Sequence, residues 1–136
     1  MTETFCPCGS QQSYEHCCKK FIIGEQIPST PELLMRSRYS AYAVGDLSYI
    51  VATMQGQPAK DFDIEDTSQW LQDVQWEGLT VINHKIKGPK LGFVSFEARY
   101  SFKGTKQSIC EKSEFHKIGD KWFYVGGKAL NPSAKW

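Results

Sequence analysis

Four of the five cysteines in this 136-residue chain lie between positions 6 and 18, as Cys6-Pro7-Cys8 and then Cys17-Cys18. A short segment that brings four thiols together has few stable solutions. Two tight pairs separated by a turn suit a tetrahedral ion with soft ligands, and zinc takes four thiolates in that way. Gly9-Ser10 provides the reversal between the pairs, because glycine reaches backbone angles closed to other residues. A disulfide framework would need an oxidising compartment. The start, MTETFCPCGS, has neither the basic residues nor the apolar run of an export signal. Redox catalysis uses C-x-x-C ahead of a helix, which does not occur here. The expectation is one structural zinc ion on Cys6, Cys8, Cys17 and Cys18, with His16 as the substitute for the fourth ligand. Four thiolates leave no position open for water, so such an ion would not be catalytic. Reduced thiols without an export signal point to the cytoplasm.

The remaining residues read as one α+β body, giving a division into a hook at 1–20 and a body at 21–136. Phe21 to Pro28 is an apolar connector that packs the hook onto the body. Thr30-Pro31-Glu32 is a helix start, and Gly45 ends that helix. Asp46 opens a second helical stretch, LSYIVATM, which stops before Gly56 and Pro58. A third short helix is expected near Thr67 to Asp73. From Val74 the period changes to that of strands: Val74–Lys87, Leu91–Phe102, Gln107–Ile118 and Lys121–Val125, with turns at Gly88-Pro89, Lys103-Gly104-Thr105 and Gly119-Asp120. Helices first and hairpin-linked strands after make an α+β domain with one curved antiparallel sheet, which can close round the helices as a cone.

Parity along the third strand puts Ile109, Glu111, Ser113 and Phe115 on one face, and the apolar pair turns that face inward. Glu111 would then be a carboxylate in an apolar cavity, its pKa raised unless a cation or donor meets it. Trp122 and Tyr124 share a face of the next strand and are candidates for the same cavity. Arg36 or Arg38 on the long helix would supply the pairing charge. Glu111, Ser113, Trp122, Tyr124, Arg36 and Arg38 form a candidate small-molecule site, or else an ion pair that closes the cone. The histidines, His16, His84 and His116, are scattered, and no Ser-His-Asp set or glycine-rich phosphate loop occurs. Cys110 and the four tryptophans read as packing residues. A formal charge of +1 argues against nucleic acid as partner, although Lys19, Lys20, Lys85, Lys87 and Lys90 cluster locally. No apolar run is long enough to span a membrane.

The run CPCGSQQSYEHCC resembles the SEC-C motif, the zinc hook at the C-terminus of the bacterial secretion ATPase. Its four ligand positions fall on Cys6, Cys8, Cys17 and Cys18, its aromatic on Tyr14, and Gln11 stands where the motif has a second glycine. LMRSRYSAY, WEGLTV, GFVSFEARY and the Trp122-Phe123-Tyr124 run resemble the YchJ family of short bacterial proteins, over nearly the whole chain. That resemblance implies a nuclear transport factor 2-like (NTF2-like) cone. Many members carry a second hook at the C-terminus, and Asn131 to Trp136 do not resemble one. By analogy with the secretion ATPase, the resemblance implies a non-enzymatic adaptor. Its hook would meet a protein or a ribosome-associated surface, and its cone a second partner or small ligand. The alternative is an enzyme acting in the cone, with Glu111 as acid or base and Tyr124 as a hydrogen-bond donor.

Overall fold

The computed structural model describes residues 5–130. Asn131 to Trp136 lie outside the described residues. A short helix, α1 (Lys19–Ile22), follows the cysteine segment, so the connector begins as helix. The long helix α2 (Pro31–Val44) starts where its sequence demands. The Thr30 hydroxyl accepts from the Leu33 N–H at 3.1 Å, and Pro31, which has no N–H to leave unpaired, takes the first helical position. Gly45, at φ 81°, closes the helix in the left-handed conformation. Asp46 caps α3 (Leu47–Ala52) by accepting from the Tyr49 N–H.

Two helices depart from expectation. Gly56 and Pro58 do not merely stop α3; they start α4 (Gln57–Asp61), where proline occupies the first turn that tolerates it. The next helix, α5 (Ile64–Gln72), begins three residues before Thr67 because Asp63 caps it, accepting from the Asp66 N–H at 3.0 Å.

Four strands follow as an antiparallel meander: β1 (Val74–Ile86), β2 (Leu91–Phe102), β3 (Thr105–Ile118) and β4 (Lys121–Ala129), in the order β1-β2-β3-β4. Register shifts at Trp76/Gly78, Val81/Asn83 and Glu114/Phe115 bend the sheet round the helices. Thr53 to Gln55 lies along β4, with Tyr124 N–H donating to the Thr53 carbonyl and Gln55 N–H to the Tyr124 carbonyl, both at 2.9 Å. This covers part of the open edge. Leu34, Met35 and Tyr39 of α2 meet Val94, Phe96, Ala98, Ile109 and Phe115 of the sheet in the core. Trp70 packs edge-on against Trp76 and Tyr100, and Trp76 meets Tyr100 at a tilt, with ring centroids 5.5–5.8 Å apart. Among the described residues no helix is long and apolar enough to cross a membrane.

Candidate functional site

The hook is built from a small reversal and a turn. Phe5 bridges Ser13, and the Cys6 N–H donates to the Gln12 carbonyl at 2.8 Å. Gly9 (φ 81°) and Gln11 (φ 67°) both adopt left-handed backbone there. A 3-10 turn, Tyr14–His16, then delivers Cys17 and Cys18 onto the first pair. The four Sγ atoms lie within 4.8 Å of one another. Cys8 and Cys17 are 3.7 Å apart, and Cys17 and Cys18 3.9 Å.

All four cysteines are nine-tenths buried or more. Hydrogen bonds from Cys18 and Cys8 hold the Cys6 thiol far below the ordinary cysteine range. Burial pushes Cys17 up to about 11, and sharing a proton with Cys6 pushes Cys18 higher still. Four sulfurs this close cannot all ionise without a cation among them. The set therefore fits a four-coordinate ion with soft ligands. His16 is exposed, its Nδ1 2.7 Å from Ser13 Oγ, and stands outside the group, which closes on Cys18 instead.

Helix α2 holds the hook. Arg36 donates to the Cys8 carbonyl at 2.8 Å and to Glu32 at 2.9 Å, and Ser40 Oγ lies 3.4 Å from Cys6 Sγ. Glu32 in turn meets His84 of β1 at 3.1 Å. Arg36 is thus committed to the hook and takes no part in pairing with Glu111. Residues two apart on a helix point about 200° apart, so Arg36 and Arg38 face opposite sides.

Arg38 faces the cone. It is 1% exposed, donates through Nη1 to the Ile50 carbonyl (3.0 Å) and Thr53 Oγ1 (2.7 Å), and stacks 4.8 Å from the Tyr124 ring centroid. Its Nε and Nη2 have no hydrogen-bond partner among the described residues. Burial lowers its pKa from the ordinary arginine value. Arg38 acts on Glu111 through its field, without a direct ion pair.

Glu111 is 5% exposed and does point inward. Its Oε2 accepts from Ser113 Oγ at 2.6 Å and from the Tyr124 hydroxyl at 3.1 Å. Burial raises its pKa, against the lowering effect of these two donors and of Arg38. Burial and the nearby Glu111 together raise that of Tyr124. The carboxylate rests against Gly127, which is Cα partner to Ser113, and a Cβ at Gly127 would overlap it. Beyond it opens a cleft of about 500 Å³, lined by Glu111, Tyr124, Met54, Phe62, Asp61 and Asp63 among others. Trp122 does not share this cleft. Two residues along β4 carry it some 7 Å away, to an apolar groove of about 430 Å³ beneath Phe21 and Ile27.

Comparison with known proteins turns on this framework. The profile of the YchJ middle NTF2-like domain matches residues 30–127, from the cap of α2 to the glycine beneath Glu111. The chain belongs to the YchJ family. A UPF0225 protein of Geobacter sulfurreducens is 37% identical over 93% of this chain and 80% of its own length. One from Enterobacter sp. strain 638 is 39% identical over 90% and 81%. Among solved structures, the solution structure of a SEC-C motif-containing protein from Rhodopseudomonas palustris superposes with a TM-score of 0.84, at 35% identity, covering 93% of this chain and 98% of that one. The crystal structure of a SEC-C motif-containing protein from Psychrobacter arcticus gives 0.78 at 26% identity, covering 96% and 82%. This YchJ-family chain carries its SEC-C segment ahead of the NTF2-like cone, welded to it through α2.

Sequence reasoning missed Gly127, Asp61, Asp63 and Phe62. Gly126-Gly127 at a strand end was the available signal, since paired glycines mark close backbone approach. Asp61 at the end of α4 and Phe62 and Asp63 just after it carried none, because the contact of α4 with β4 is set only by the folded chain.

Proposed function

We propose that this protein is a zinc-stapled small-molecule-binding domain. The hook holds one structural zinc ion that fixes the N-terminal segment to α2, and the cone binds a small ligand over Glu111. Zinc suits the hook because a Zn–S bond of about 2.3 Å separates tetrahedral sulfurs by about 3.8 Å, and the Cys8–Cys17 and Cys17–Cys18 separations of 3.7 and 3.9 Å bracket that value. Free thiols beside such an ion accord with a reducing cytoplasm.

The carrying observation is that Glu111, 95% withdrawn from solvent by its 5% exposure, faces a cleft rather than a salt-bridging cation. A carboxylate serving only to close the core would sit in a direct, fully hydrogen-bonded ion pair. The test is native mass spectrometry on protein purified gently from its own cells. Zinc together with a small mass that disappears in Glu111→Gln supports the reading; a small mass that persists in that variant overturns it.

A second reading, a protein partner at the hook, draws on three exposed apolar side chains there and on the connector: Phe5 (69%), Ile23 (57%) and Ile27 (46%). Loss of a co-purifying protein in Phe5→Asp, with zinc retained, would select it.

A further inference from the structure

We infer that the Glu111 cleft takes a small organic cation, a protonated amine carried on an apolar or aromatic body. The inference rests on the cleft reading above and names its ligand class. Twelve residues line the cleft, and they include three carboxylates, Glu111, Asp61 and Asp63, with no lysine, arginine or histidine. The arrangement is graded. Asp61 and Asp63 are exposed at the rim, and Glu111 is buried at the floor. Each rim acid has one oxygen engaged locally, Asp61 by Gln57 Nε2 at 2.9 Å and Asp63 by the Asp66 N–H at 3.0 Å.

At the floor both hydrogen bonds to the carboxylate fall on Oε2. The other oxygen, Oε1, takes part in neither bond, and it is not one of the fully buried side-chain atoms left without a partner among the described residues; both of those are on Arg38. The two donors to Glu111 are neutral hydroxyls, so the anion lacks a charged partner in contact. Arg38 offsets part of the charge from behind the Tyr124 ring, but it donates through Nη1 to Ile50 and Thr53 and does not line the cleft. The floor therefore presents a carboxyl group without a charged partner in contact, and an ammonium donor meeting it there makes a charge-assisted hydrogen bond that favours its ionised form. Met54, Phe62 and Tyr124 provide the apolar walls that such a ligand's body would cover.

The experiment is a titration followed by heteronuclear NMR at the Gly126 and Gly127 amides. It compares phenethylammonium with two phenyl-bearing probes of similar size, neutral phenylethanol and anionic phenylpropanoate. Phenethylammonium should shift these signals saturably, and Glu111→Gln should weaken it about tenfold or more, the effect of losing one charged hydrogen bond. Asp61→Asn, at an exposed site that leaves folding alone, should weaken it only about twofold. No saturable shift with phenethylammonium, or an affinity unchanged in Glu111→Gln, overturns the assignment. Saturation by phenylethanol or phenylpropanoate alone overturns the cation and leaves the cleft reading standing. The cleft reading falls separately, if a co-purified mass survives Glu111→Gln.

Discussion

Gly127→Ala tests the contact between the sheet backbone and the buried carboxylate. Gly127 does not adopt positive φ, so alanine brings no backbone strain. What it brings is a Cβ that overlaps the carboxylate and approaches Cγ of Glu111. The carboxylate must leave, and the Ser113 and Tyr124 hydrogen bonds go with it. Two bonds to this carboxyl at about 1.5 kcal/mol each give about 3 kcal/mol lost. Replacing a strand glycine returns about 0.5–1 kcal/mol of chain entropy. The net expectation is a loss of about 2 kcal/mol, or a Tm lower by about 8 °C in a domain of this size.

In a Glu111→Ala background every clashing atom is gone, and the same substitution should cost nothing or stabilise slightly. Urea denaturation of the four proteins closes the cycle, with an expected coupling of about 2–3 kcal/mol. Equal costs of Gly127→Ala in both backgrounds would refute the packing of Glu111 on Gly127.

Cys8→Ser should abolish metal binding and His16→Ala should leave it intact, as read by inductively coupled plasma mass spectrometry, because His16 stands outside the sulfur group. Gln11→Gly should raise the stability of the metal-bound hook by about 0.5–1 kcal/mol, since a left-handed non-glycine residue costs about 1–2 kcal/mol and Gln11 sits at φ 67°. Slower loss of metal to a chelator is the readout, and faster loss would count against it. Glu111→Gln should change stability at pH 7 by less than about 1 kcal/mol, because glutamine keeps an acceptor for Ser113 and Tyr124. The sign of its pH dependence follows from the raised pKa of Glu111. The native state holds that proton more tightly than the unfolded chain, so wild-type stability falls as pH rises from the ordinary 4.5 to the folded value and is level above it. Denaturation across that range should show the slope in the wild type and lose it in the variant.

The sequence carried what is local. The ends of α2 were readable because Thr30-Pro31 and Gly45 each act within one turn. The inward face of β3 was readable because Ile109 and Phe115 fix the parity of Glu111. The same periodicity could have separated the two arginines: a helix cannot turn residues 36 and 38 to the same side, so only one could reach the cone. Trp122 has the parity of Tyr124 yet lies in another cavity, since parity gives the face of a strand and not the position along it. Gly127 needed the β3–β4 register, and a shift at Glu114/Phe115 sets that register. The acidic rim needed α4 to return onto β4, a contact between residues some 60 positions apart in the chain.

Helix α2 joins the two sites physically. Arg36 and Ser40, one turn apart, grip Cys8 and Cys6, while Arg38 on the opposite side holds the turn after α3 and the Tyr124 ring. A buried arginine with two unpartnered nitrogens and a buried glutamate without a contacting cation both work against folding. They persist only where the surrounding scaffold leaves no cheaper arrangement. The hook contributes to that scaffold by covering the outer face of α2 with four buried cysteines. Freeing Cys6 and Cys8 uncovers one side of the helix whose other side sets the position of Arg38 behind Tyr124.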